Sequence, residues 1–247
     1  MTAININDIK TIEELEKVAK THLEGKTLKE VMAEVADNDE SKRVLTKASV
    51  GYVVEEGLFG IKRNNTAGAD IAHLDVEIKT SPLKLGRDGK LRVKEPLSLN
   101  IINYNDEYKH PNIKDSSLYK KNKNILLVWY IHDKNIPRSE YLIKYVFVWK
   151  MDETVLSEVN PDYQLILGKI KEGKAHEIHQ TDHQNLTLCP KHGGTFKDPN
   201  DRKSKTTQPF SDKPAEIRAF RLKSSYMAKV IQKYLKENLP NKVQEFI

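Results

Sequence analysis

Hydrophobic positions along this chain change period near residue 60. Up to there they recur at helical spacing. Thr11-Ile12-Glu13-Glu14 and Thr27-Leu28-Lys29-Glu30 each put a glutamate three residues after a hydroxyl N-cap, the signature of a capping box. Leu15, Val18 and Leu23 give the first helix an apolar stripe, and Gly25 ends it. Leu28, Val31, Met32 and Val35 do the same for a second helix. A third is predicted over Ala48 to Leu58, with Val50, Val53 and Val54 facing inward, and Gly60 breaks the chain.

Beyond that point the period is two. Over Asp75–Thr80, Val76 and Ile78 point one way and Glu77 and Lys79 the other. Asp88-Gly89 is a hairpin-turn pair. Leu97–Tyr104 reads as another strand. Ile125–His132 and Tyr141–Trp149 are apolar β-rich runs, expected to be central strands buried on both faces. A helix is expected from Pro161 to about Glu172, closed by Gly173. Lys191 to Pro214 reads as one or two long loops. A short strand at Ala219–Leu222 and a helix from Ser224 to about Asn238 complete the chain. The pattern predicts one α/β or α+β domain over 1–247, with helices around a mixed sheet. Its parts are N-terminal helices at 1–60, a sheet at 61–150, and a part that ends in the C-terminal helix at 151–247.

Charge changes the picture more than size does. The 247 residues carry a net charge of +6, which favours a polyanionic partner. The single cysteine, Cys189, excludes an internal disulfide framework and a Cys/His zinc set. No apolar run approaches the ~18 residues that span a bilayer, and no secretory pattern opens the chain. The expectation is a soluble cytoplasmic protein that binds no membrane.

The chemistry gathers at Asp70-Ile-Ala-His-Leu-Asp-Val-Glu77-Ile-Lys79. Residues two apart on a strand share a face, so Glu77 and Lys79 project together. Asp70, one short turn earlier, can fold back beside Glu77. Two carboxylates make a hard-oxygen site for Mg²⁺, and a neighbouring lysine can orient or deprotonate an attacking water. The preceding helix offers further carboxylates at Glu55 and Glu56. Alone, Asp…Glu-x-Lys is a loose pattern that an exposed edge strand also produces. His73 reads as a surface or structural residue, and Trp129 and Trp149 as core.

A larger set of residues is more specific. Val50-Gly51-Tyr52-Val53-Val54-Glu55-Glu56-Gly57-Leu58-Phe59-Gly60, then Asp70, then Asp75-Val76-Glu77-Ile78-Lys79-Thr80-Ser81-Pro82-Leu83, resembles the MutH family. That family includes the mismatch-repair nicking enzyme and related type II restriction enzymes that cut at GATC. Asp75 stands where the family usually has Gly, and Ile78 where it has Leu. Ser98–Asn105, the Tyr119–Ile131 run and Arg218–Met227 look like the restriction branch. The resemblance implies a restriction-endonuclease-like core with Asp70, Glu77 and Lys79 as catalytic residues. It implies a helix glutamate at Glu56 and a further lysine at Lys120, or at Lys121 if the register shifts by one. The loop Leu188–Gly193 is similar to the family's base-reading loop, which makes Lys191 the base-reading candidate. Lys203, Lys205, Arg218, Arg221 and Lys223 would hold phosphates, as would Ser225 at the start of the last helix.

The function implied is a Mg²⁺-dependent type II endonuclease acting on double-stranded DNA at GATC, dimerising on it, with a cognate methyltransferase as system partner. The alternatives are a strand-nicking repair enzyme and a DNA-binding module without catalysis. The restriction branch has longer chains with a second, non-catalytic domain, so a chain ending at Ile247 reads as a catalytic domain or a compact relative.

Overall fold

A computed structural model describes residues 4–35, 50–62, 68–191 and 205–246. The chain divides into two compact units. Met1–Glu95, Asn124–Lys150 and Ala228–Ile247 make the first; Pro96–Lys123 and Met151–Met227 make the second.

The first unit opens with α1 (Ile12–Leu23) and α2 (Leu28–Val35). The Thr11 hydroxyl accepts from Glu14 N–H at 3.1 Å, and the Glu14 carboxylate accepts from Lys10 N–H rather than from Thr11 itself. At α2 the box is complete: Thr27 N–H donates to Glu30 at 2.7 Å. The buried stripe of α1 is Leu15, Ala19 and Leu23; Val18 is only partly buried. Gly25 adopts φ +81°, the left-handed stop expected of it. The third helix, α3, starts among the described residues as Val50–Tyr52 and widens into a π-helical turn over Val53–Leu58. Ala48 and Ser49 lie outside the described residues.

The sheet of this unit has the order β2-β1-β4-β5, built from β1 (Val76–Leu85), β2 (Leu91–Val93), β4 (Asn124–Ile131) and β5 (Ile143–Lys150). β1 runs parallel to β4, while β1–β2 and β4–β5 are antiparallel, so the sheet is mixed. Val76, Ile78, Leu126, Val128 and Val146 on one face share a core with α1, α2 and α3. On the other face the Phe147 ring stacks on Tyr234 at 3.9 Å between centroids. The expectation of two central strands holds for β4 only. β5 is the last strand of its sheet, and α1 covers its edge: Glu16 accepts from Val148 N–H at 2.8 Å and Glu24 from Val146 N–H at 3.3 Å.

The second unit holds an antiparallel sheet, β3-β9-β6, of β3 (Leu97–Ile101), β6 (Leu186–Pro190) and β9 (Arg218–Leu222). It also holds α4 (Tyr104–Glu107), α5 (Ser117–Asn122) and α6 (Glu153–Lys171). Two expectations need correction. α6 begins eight residues before Pro161, because Asp152 caps it by accepting from Val155 N–H at 2.9 Å; Pro161 sits inside the helix. The polar stretch after Lys191 is not all loop: β7 (Lys205–Gln208) and β8 (Ser211–Glu216) form a hairpin, while 192–204 lie outside the described residues. The last helix, α7, spans Ser224–Asn238 as expected; Ser224–Met227 fall in the second unit and the rest in the first. None of the described helices is long and apolar enough to cross a membrane.

Candidate active site

The site is made by a reversal just before β1. Ile71 and Val76 exchange backbone hydrogen bonds of 2.9 and 3.2 Å around a short 3₁₀ turn, Ala72–Leu74. Asp75 closes the reversal in the left-handed conformation, φ 52° and ψ 44°. His73 pins the turn from outside, its Nε2 lying 2.8 Å from the Ile9 carbonyl oxygen. The reversal returns Asp70 to the start of β1. Its Oδ2 accepts from Ile78 N–H at 2.9 Å, and its own N–H donates to Glu77 Oε2 at 3.2 Å.

Glu77 is only 2% exposed, a carboxylate taken almost entirely out of water. Burying such a charge is costly without partners. Lys79 supplies one: its Nζ lies 2.6 Å from Glu77 Oε1. The structure thus brings Asp70, Glu77 and Lys79 together, with the lysine still partly open to solvent. Ser81 continues the same face of β1; it is buried, and its hydroxyl has no hydrogen-bond partner among the described residues. The reading of β1 from alternation ended at Thr80 and so missed it.

The donor set fits a hard divalent cation. Among the described residues no three His, Cys, Asp or Glu side chains gather to hold a metal unaided. Mg²⁺ does not need them, since it keeps several waters and is commonly held by one or two carboxylates plus substrate phosphate. Asp70 and Glu77 present two such carboxylates side by side, and the Lys79 ammonium already marks the spot as one that attracts positive charge.

The remaining candidates are distributed more widely. Glu56 is half-buried on the π-helical turn of α3, between the buried Val54 and Leu58. Lys120 is exposed and Lys121 half-buried, both on α5 of the second unit. Lys191 is exposed directly after β6, held by its N–H to the Ile217 carbonyl at 2.8 Å. The segment Leu188–Pro190, read as part of a loop, is strand instead. Lys205 is exposed at the start of β7, and Ser225 is exposed in the first turn of α7. Arg218 is buried, its guanidinium 2.8 Å from Glu216 Oε2. Arg221 lies between Ser98 and Thr187 across the sheet, and its buried Nε has no partner among the described residues. Lys223 turns its ammonium to the His183 carbonyl. Lys203 lies outside the described residues.

This mixed sheet with flanking helices, entered through a doubled-back acid pair, is the restriction-endonuclease-like arrangement expected of the sequence. Residues 59–162 match the family described as the DNA mismatch repair enzyme MutH, and the chain carries a domain of that family. Among characterised proteins, the chain is 35% identical over 192 residues to the type II restriction enzyme Sau3AI of Staphylococcus aureus. The alignment covers 77% of this chain, which spans 37% of that relative's length.

Proposed function

We propose that this chain is a Mg²⁺-dependent endonuclease that hydrolyses phosphodiester bonds of double-stranded DNA at a specific site, GATC. The observation that carries this reading is the acid pair Asp70 and Glu77 with the Lys79 ammonium 2.6 Å from Glu77. Support comes also from the MutH-family domain and from the likeness to a type II restriction enzyme. The choice of GATC rests on the sequence resemblance to the branch that cuts there.

In this mechanism Asp70 and Glu77 offer carboxylate oxygens to the cation. A Mg²⁺ held by these carboxylates would supply Lewis-acid polarisation of the phosphodiester and of a nearby water. Lys79 Nζ, held at Glu77 as an ammonium, orients the attacking water by donating to its oxygen and faces the negative charge that grows on the phosphoryl oxygens. Glu56 and Lys120 are proposed as auxiliary catalytic residues. Lys191 reads a base edge, and Lys203, Lys205, Arg221, Lys223 and Ser225 hold phosphates. Arg218 contributes least to DNA, because its guanidinium is committed to Glu216. The wider reading is a single cytoplasmic domain that dimerises on DNA and works beside a cognate methyltransferase.

Cleavage of a plasmid with several GATC sites tests this, with Mg²⁺ or with EDTA, using wild type and Lys79→Ala. Discrete fragments bounded by GATC that need both Mg²⁺ and Lys79 are expected. Nicked circles alone would support a strand-nicking enzyme, the reading favoured by the family's mismatch-repair description. Salt-sensitive binding without any cutting would overturn both in favour of a binding module.

A further inference from the structure

At the tip of the β7–β8 hairpin, Phe210 violates two local rules at once. It is a large aromatic residue 66% exposed, and its backbone is left-handed at φ 62°, where glycine or asparagine is the usual occupant. Folding alone gains little from either feature. Strain at an exposed aromatic points to a use outside the fold.

The surrounding residues hold this tip rigidly. Gln208, buried just before it, accepts from Ala175 N–H at 2.7 Å and donates to the Lys213 carbonyl at 2.6 Å. The Tyr108 ring meets Phe210 edge-on, 5.2 Å between centroids. Gly173, itself at φ 69°, packs so close that a Cβ there would collide with the Phe210 carbonyl. At the root of the hairpin, Asn105 Nδ2 donates to Thr207 Oγ1 at 2.8 Å. Rigid apolar projections of this kind enter DNA between base pairs, because a preorganised wedge loses little entropy on insertion. The hairpin itself suits the same partner: Thr207, Ser211 and the exposed Lys205 and Lys213 offer hydroxyls and ammonium groups to phosphates, against one exposed acid on the hairpin, Asp212, while the exposed Asp106 and Glu172 on neighbouring segments are paired with Lys109 and Lys174.

We infer that Phe210 is a wedge that inserts between base pairs of duplex DNA and unstacks them. This rests on the reading of DNA as the substrate but not on cleavage, so it is measured without cleavage. The full chain in EDTA is titrated onto short GATC duplexes carrying 2-aminopurine at successive steps, whose fluorescence rises on unstacking. Wild type is expected to brighten one step. Phe210→Gly, which relieves the backbone strain, is expected to melt at or above the wild-type temperature, bind about tenfold more weakly and leave every step dark. Phe210→Trp should keep both affinity and brightening. A Phe210→Gly variant that binds and brightens like wild type overturns the wedge, even if it loses self-association or the capture of another protein. A wild type that brightens no step overturns it too, and cleavage by that same wild type would leave the nuclease reading standing.

Discussion

At position 75 the backbone is left-handed, a conformation that suits the glycine the resemblance to the MutH family leads one to expect there. Aspartate is among the few others that tolerate the region. Asp75→Gly is therefore expected to keep or slightly raise the melting temperature. Asp75→Val, whose β-branch clashes in this conformation, should cost about 1–2 kcal/mol in denaturant unfolding. It should also weaken Mg²⁺-dependent cleavage, because the same reversal carries Asp70 to Glu77. A second residue reports on pH. Burial lowers the pKa of His183 from its ordinary 6.5, against the opposing pull of Asp162. The folded chain then binds that proton less readily than the unfolded chain. The stability it contributes is complete above pH 6.5 and falls away below it, toward the lowered folded value. The loss of melting temperature between about pH 7 and about pH 5 should shrink in His183→Gln.

At the scale of elements, three carboxylates satisfy backbone donors that strand pairing leaves open. Asp162 on α6 is buried and accepts from the N–H groups of Gln184, Asn185 and Leu186 at 2.8, 2.6 and 2.8 Å. It fixes the entry into β6, and the strand starts where its acceptors run out. Asp162→Ala strands three donors, so a loss of about 3 kcal/mol or more is expected from chemical denaturation. On β5, Glu16 and Glu24 of the α1 region close an edge that would otherwise template pairing with another chain. Glu16→Ala should cost about 1 kcal/mol and raise aggregation on heating, read by light scattering.

For the whole molecule the net charge of +6 matters most. Binding of duplex DNA should weaken steeply with salt, each phosphate contact adding about 0.9 to the slope of log K against log salt. Arg221→Ala and Lys223→Ala are each expected to lower that slope by about one unit without changing sequence preference. Arg218→Ala should leave the slope nearly intact and lower the melting temperature instead, since its guanidinium is spent on Glu216.

Local rules made much of this chain legible from its residues alone. The two Thr-x-x-Glu caps, Gly25, Gly60, Gly89 and Gly173 at their turns, and the alternation through Glu77 and Lys79 depend on neighbours a few positions away. The doubling back of Asp70 was readable too, because one short turn separates it from β1. Other features depended on partners distant in sequence. Pro161 looked like a helix start until Asp152 capped the helix earlier. The strand character of Leu186–Pro190 needed β9 to pair with it, Leu186 meeting a residue as far on as Leu222. The edge position of β5 needed the full strand order, and the β7–β8 hairpin needed Gln208 to find Ala175. The sequence by itself determined the acid-acid-lysine set and the elements that carry it. The tertiary structure decided which strands lie at an edge, which cations are already paired, and that an aromatic side chain stands exposed on a strained turn, because burial and pairing belong to residues that only folding makes neighbours.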